Sequence, residues 1–578
     1  MAADVERQYV DGRFGQSHLY RAGPLADEGK PPLLCFHMSP WSAVFYEPLL
    51  AEKGEGQQLN TVRHVLKRNP CKTGRPASPG TPVRALPLLP ILICSLAGWS
   101  QPVGADADIF EITEISAGGH VVAADLADFD GDQRQDLMVV TLEGRPPSEA
   151  RNLNIYLQQS DGSFLASPSH RILVPRWSAV YDVADLKATP GDELVLLRPN
   201  GVTILSVADT VATQWDLVLD GPSTVGASED ERGFERFQMV YRDFGDVPWI
   251  LVPQIGQLSA LTADGAVQAS IEVGRRANFF VATSAELLSV ESDIQLFLDV
   301  PKVSVGDVDG DGLADIVAAT RHEIRVFLRG RNGGFAAQPS QVIPLELISE
   351  RDHTRGSGSV VTMARDIDGS GRLDLMLSHV EGSFTDTVTT TYIHRNRDGR
   401  WNMAEPDQRF VSKGTLSSDL LLDLDQDRAL ELVRVQLKFS VLEVVELLLT
   451  RKLDVEIEIH RLEQDGQFGD KPWSRKKLNT AVSFDTFRPK GFMPTGSVDL
   501  NADGLLDFVT SANGKGIEVY LGGSDGPFSK RTAIQKFPSA GIISFSDFDA
   551  DGLPDFVLFD PQSLDSVVRI GRSKLAGW

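Results

Sequence analysis

The residues in this 578-residue chain best suited to chemistry are oxygen donors set at odd positions in short recurring loops. Six segments carry an acidic or polar residue at positions 1, 3, 5 and 9: 127–140, 306–319, 365–378, 422–435, 498–511 and 546–559. The donor sets are Asp128, Asp130, Asp132 and Asp136; Asp307, Asp309, Asp311 and Asp315; and Asp366, Asp368, Ser370 and Asp374. They continue with Asp423, Asp425, Asp427 and Glu431; Asp499, Asn501, Asp503 and Asp507; and Asp547, Asp549, Asp551 and Asp555. At position 7, Arg134, Leu313, Arg372, Ala429, Leu505 and Leu553 would offer only a backbone carbonyl. Three or four carboxylates this close repel one another unless a cation lies between them. Donor sets of oxygen alone, without His or Cys, suit a hard cation rather than zinc. So many protein oxygens in place of water favour calcium over magnesium, and about six Ca2+ sites are expected.

An EF-hand would need a glutamate at position 12 and helical flanks. Position 12 is Val139, Ala318, Leu377, Arg434, Thr510 or Leu558, and the flanks are rich in β-formers. Two weaker copies, 184–197 and 242–253, lie between the first two loops. In the first of them Lys187 stands at position 3 and Thr189 at position 5, so an internal ammonium is expected in place of an ion. The copy around Asp243 has lost the loop spacing and is expected to be structural only.

The first aspartates of the eight copies fall at 128, 185, 243, 307, 366, 423, 499 and 547. Most units add a second β-like run ending in a turn, as in 154–164, 324–335, 392–401 and 517–528. Alternating patterns and Gly-containing turns in units of about 60 residues predict four short strands per unit. Such units stack radially as propeller blades, which leaves no long exposed edge. The fold class is therefore all-β, an eight-bladed β-propeller over residues 106–578. The last unit has room for only three strands, so IFEITEIS (109–116) is expected to supply the fourth and close the ring. These loops and their D-G-x-F turns resemble FG-GAP/VCBS repeats, the calcium-loop blades also found in integrin α-chain heads. The resemblance covers nearly all of residues 108–578 and implies calcium binding and a role in adhesion or ligand recognition.

The charge divides unevenly along the chain. The whole carries −24, yet residues 1–105 have eleven basic and eight acidic side chains, which leaves −27 on the remainder. That acidity argues against a nucleic-acid or anionic-membrane partner. Cys35, Cys71 and Cys94 all precede residue 106, so no disulfide scaffold supports the acidic part. Residues 83–105 run from a basic residue through an apolar stretch to Val103-Gly104-Ala105, the order of a secretory signal peptide. The mature chain is then expected to be exported, to the periplasm, medium or cell surface, as a monomer with no membrane span. Residues 29–54 resemble the first core strand, oxyanion loop and first helix of an α/β-hydrolase, with His37-Met38-Ser39-Pro40 matching the loop. The resemblance ends before any nucleophile, and 57–82 is a basic Pro/Gly-rich linker. Residues 1–56 are read as a hydrolase remnant or as part of an extended reading frame, without hydrolase activity in either case.

Two function classes remain. One is a non-catalytic binding or adhesion scaffold for a protein or glycan. The other is a polysaccharide lyase or hydrolase using loops on one propeller face, for which 347–359 (LISERDHTRGSGS) is the candidate stretch. The seven histidines after residue 105 are scattered and form no catalytic spacing, which favours the scaffold and leaves no catalytic residue to name. Gly522-Gly523-Ser524-Asp525-Gly526 fits G-x-S-x-G but lacks a following helix, so it reads as a hairpin turn. The insert 438–462 is read as a blade-edge helix or a partner-docking surface.

Overall fold

The computed structural model describes the backbone of residues 5–12, 15–22 and 33–36. It also describes 108–575 with internal breaks, the longest at 225–232, 282–293, 350–357 and 439–446. The chain divides into two compact units, 1–100 with 278–297 and 101–277 with 298–578. In the first, Val5–Gly12, Gly15–Ala22 and Leu33–Phe36 form an antiparallel meander. Within 29–54, where a first strand is expected, Leu33–Phe36 is a strand, while the oxyanion-loop match, the linker and segment 83–105 fall outside the described residues.

The second unit is an eight-bladed β-propeller. Its blades each have a four-stranded antiparallel core, as the repeat pattern predicts. Blade 1 is His120–Ala127, Asp136–Glu143, Ala150–Tyr156 and His170–Val174, ordered from the first strand outward. Blades 2 to 7 begin with strands Val180–Ala184, Val240–Tyr241, Lys302–Gly306, Ser359–Arg365, Thr415–Leu422 and Thr495–Val498. Blade 8 contains Ile542–Ser546, Asp555–Phe559 and Val567–Ser573, and its fourth strand is Phe110–Ser116 from the start of the unit. The register runs from Phe110↔Ser573 to Ser116↔Val567. The ring is therefore closed by the strand that counting had assigned to it.

Each second strand is buried on both faces because a neighbouring blade packs on either side. This is why Leu137–Val140, Ile316–Ala319 and Phe556–Phe559 read as unbroken apolar runs instead of alternating ones. The core is accordingly a set of seams between blades. One seam joins Val140 and Leu153 of blade 1 to Tyr181 and Leu194 of blade 2, and another joins Val557 and Val568 of blade 8 to Val121 and Leu137. The seam between blades 5 and 6 is partly polar. Arg434, the cationic residue at position 12 of its repeat, donates to Ser412 Oγ at 2.8 Å and lies 3.5 Å from Asp419. Asp419 in turn accepts from Thr391 and Ser417.

Of the insert, Lys452–His460 forms a strand of blade 6, and 439–446 lies outside the described residues. No helix among the described residues is long and apolar enough to cross a membrane.

Candidate functional site

All six loops lie between the first and second strands of their blades, so antiparallel geometry places them at one end of the ring. They share one backbone path. Positions 4 and 6 take positive φ in every case: Gly131 and Gln133, Gly310 and Gly312, Gly369 and Gly371, Gln426 and Arg428, Ala502 and Gly504, and Ala550 and Gly552. Left-handed conformation at Gln426, Arg428 or Ala502 is costly for an L-residue, so the turn is imposed by what surrounds it. The position 1 carboxylate supplies part of that constraint. Its Oδ2 accepts the N–H of position 6 at 2.8 Å in the Asp128, Asp307, Asp366 and Asp499 loops, 2.9 Å at Asp547 and 3.1 Å at Asp423.

Position 9 opens the second strand and is almost fully buried, with Asp136, Asp507 and Asp555 at 0% exposure. Its two oxygens strap the blade together. In blade 1, Asp136 Oδ2 accepts from Phe129 N–H at 2.9 Å and Oδ1 from Gln158 N–H at 2.9 Å. Asp315, Asp374, Asp507 and Asp555 repeat both bonds. Burial lifts these carboxyls far above the usual range, to about 7 for Asp136, Glu431 and Asp555 and about 6 for Asp315 and Asp507. A carboxyl with a raised folded-state pKa holds its proton more tightly when folded than when unfolded. Its contribution to stability is thus lost as pH climbs from about 4 and levels off above the folded pKa. In calcium-free buffer, the urea midpoint of the propeller is expected to fall between pH 4.5 and pH 7.5. With calcium present the slope should flatten or reverse, because the ion competes with the proton.

Five loops bring three carboxylates within 4.8 Å of one another: Asp128, Asp130 and Asp136; Asp307, Asp309 and Asp311; Asp366, Asp368 and Asp374; Asp423, Asp425 and Glu431; and Asp547, Asp549 and Asp551. In the sixth, Asn501 Nδ2 donates to Asp503 Oδ2 at 3.1 Å. Position 5 also turns inward on its own loop, since Asp132, Asp311, Asp427, Asp503 and Asp551 each accept the position 7 N–H. The donor chemistry fits a calcium ion, and three buried oxygens sharpen the fit. Asp423 Oδ1, Asp425 Oδ1 and Asp549 Oδ1 are shielded from water and accept no hydrogen bond, an arrangement that is costly without a cation. Burial and the neighbouring carboxylate also raise the pKa of Asp130 beside Asp132 and of Asp549 beside Asp551.

The sequence reading missed what clamps these loops from the next blade. The apolar residue at position 2 is the anchor. Phe164 of blade 1 packs edge-on against Phe548 of the blade 8 loop at 5.9 Å, and Phe335 of blade 4 against Phe244 of the blade 3 loop at 5.8 Å. Trp401, Phe468 and Phe528 join the clusters of Val308, Ile367 and Leu424 in the same manner. The turn's first side chain adds a bond to the position 2 carbonyl: Gln158 Nε2 to Phe548 at 3.0 Å, Arg329 Nη2 to Phe244 at 2.6 Å and Asn396 Nδ2 to Val308 at 2.8 Å. One such turn, Leu462 to Phe468, carries the same Asp465-Gly466-x-Phe468 signal and could have been found by it.

Blades 2 and 3 depart from the scheme. In blade 2, Glu193 at position 9 accepts the Leu186 N–H as its counterparts do, but it also takes the Thr189 hydroxyl at position 5. Lys187 does not direct its ammonium at a carboxylate. It donates to the Ala263 carbonyl of blade 3 at 2.6 Å and lies 4.7 Å above the Trp215 ring, so it fastens two blades together.

Elsewhere, His120, His394 and His460 each place Nδ1 within hydrogen-bond distance of a backbone carbonyl. Gly522 of the G-x-S-x-G match donates its N–H to Asp507 Oδ1 at 2.6 Å, and a Cβ there would meet the Leu506 carbonyl oxygen at 2.6 Å. Its glycine thus serves the blade strap; Ser524 and Asp525 lie outside the described residues, as do 350–357 of the candidate enzyme stretch.

Residues 307–377 and 499–558 match the family described as FG-GAP-like repeat, spanning the loops of blades 4 and 5 and of blades 7 and 8. No curated protein matches the chain. Among solved structures, BBS1N in complex with ARL6DN, soaked with mercury, is 7% identical, covering 69% of this chain and 92% of that one at a TM-score of 0.33. The Dos1 propeller is 9% identical, covering 69% and 94% at a TM-score of 0.31. The V. cholerae biofilm matrix protein Bap1 is 10% identical, covering 79% and 89% at a TM-score of 0.27.

Proposed function

We propose that this chain, which carries FG-GAP-like repeats on an eight-bladed β-propeller, is an exported calcium-stabilised scaffold that binds a protein or glycan without chemical turnover. The observation that carries the reading is the repeated loop with its clustered carboxylates, which in blades 6 and 8 include buried oxygens that accept no hydrogen bond. Bound calcium would tie the odd-numbered side chains of each loop to a single centre and neutralise their repulsion. Asp128, Asp307, Asp423, Asp499, Asp547 and their partners at positions 3, 5 and 9 would hold the ions.

Export rests on the charged, apolar and small-residue order of residues 83–105. The placement of the binding face rests on topology. The uniform loops and D-G-x-F turns occupy one end of the ring, whereas the fourth strand of each blade ends, and the first strand of the next begins, at the other. Variable surface loops on a rigid frame are where binding specificity resides. The second end is therefore assigned to the partner and the first to the ions.

A screen of the calcium-loaded protein against glycan and extracellular-protein arrays tests the reading. Retention on one ligand class with no change in that ligand's mass is the expected result. Release of shortened oligosaccharides from a polysaccharide would instead establish the enzyme.

A further inference from the structure

We propose that the blade 5 loop, 366–374, carries its own cation, the guanidinium of Arg395, and takes no calcium. The inference rests on the calcium reading of the other loops and divides them into two kinds.

Arg395 leaves the third strand of blade 5 with its side chain only 10% exposed. Its Nη1 donates to Asp374 Oδ2 at 2.8 Å and lies 3.9 Å from Asp368 Oδ2, so one arm of the fork faces two of the loop's three carboxylates. Its Nη2 donates to the Gly466 carbonyl of the blade 6 turn at 2.9 Å, which fixes the group in place. The loop is adapted to this occupant. Position 5 is Ser370 where blades 1, 4, 6, 7 and 8 have aspartate, so one negative charge fewer needs neutralising. Both oxygens of Asp366 and Asp374 receive N–H groups as in the other loops, so the arginine and Ser370 are what set this loop apart.

The corresponding residue is Leu157, Leu328 and Leu521 in blades 1, 4 and 7, none of which can supply charge. In blade 8 it is Arg572, which is directed to Asp161 O and Glu111. In blade 6 Arg461 Nη2 donates to Asp425 Oδ2 in an ion pair, but its side chain is 40% exposed, and Asp423 Oδ1 and Asp425 Oδ1 remain buried without a hydrogen bond, so that loop still calls for an ion. A divalent cation entering the blade 5 loop would meet a fixed positive charge across the same carboxylates. A guanidinium held this way is permanently charged and cannot be chelated away.

The test counts calcium on the full-length chain by native mass spectrometry and equilibrium dialysis. The wild type should hold five ions, and Arg395→Leu should hold six. Ser370→Asp keeps the arginine but restores the fourth carboxylate, and it should also gain an ion, which covers the case in which the leucine variant fails to fold. Chelation should lower the melting temperature of Arg395→Leu further than that of the wild type. Six ions on the wild type, or five on both variants, would overturn the inference and leave the calcium reading standing. A wild type that binds none would remove both.

Discussion

Deleting residues 108–116 is expected to abolish cooperative folding of the propeller, and a synthetic peptide of that sequence added in trans is expected to restore it in part. The strand makes seven register pairs with Val567–Ser573 and buries Ile109, Phe110 and Ile115 to 1%, 0% and 3% exposure. Phe110 meets Phe556 edge-on at 4.9 Å, and Gln535 Oε1 accepts the N–H groups of Ile109 and Phe110 at 3.0 and 2.7 Å. Gln535 belongs to the outer strand of blade 7, so this one segment fixes blade 8 to its neighbour as well as completing it. Without it, the final blade would present an unpaired edge and an open apolar face. The point variant Phe110→Ala alone should cost about 3–5 kcal/mol, the usual range for emptying a fully buried aromatic site. Urea unfolding measures the loss. A truncated protein that melts as sharply as the intact one would show that the ring does not depend on this closure.

On the calcium reading, chelation is expected to have the second large effect. If each loaded loop contributes about 2.7 kcal/mol at a free calcium concentration 100 times its dissociation constant, five loops together rival the whole stability of an ordinary domain, about 5–15 kcal/mol. Chelation at pH 7.5 should therefore lower the melting temperature by something on the order of 15 °C. Calcium should restore it, and magnesium at the same concentration should not, because it keeps its water and demands a tighter octahedral shell. A melting temperature unmoved by chelation would mean that the loops are held by their own hydrogen bonds, such as those from positions 4 to 6 to Asp128 and Asp307. The buried Asp423, Asp425 and Asp549 oxygens would then need another explanation.

Much of the fold was legible in the chain because each blade repeats a local pattern. An aspartate, an apolar residue at position 2, glycine or its substitute at positions 4 and 6, and a carboxylate at position 9 all act within nine residues. Spacing alone brought out the oxygen residues at positions 1, 3, 5 and 9, and the short final unit pointed to Phe110–Ser116 as the closing strand. The burial of position 9 was less accessible. Asp136 looks in the sequence like one more exposed acid, but it opens a strand covered on both faces and becomes a strap between Phe129 and Gln158.

Contacts between blades carry no local signature. Phe164 and Phe548 lie at opposite ends of the unit, Arg395 reaches a glycine carbonyl in the next repeat, and Lys187 turns from its own loop to Ala263. Arg434 could be recognised as the wrong charge for a ligand, whereas its bond to Ser412 depends on blade 5 packing against blade 6. The sequence by itself determined the repeat, the number of blades and the oxygen chemistry of the loops, since hydrogen bonding and charge repulsion act over a few residues. Only the tertiary structure decided which loop has a built-in cation and which residues lock the ring, because those interactions exist only once separate repeats are brought side by side.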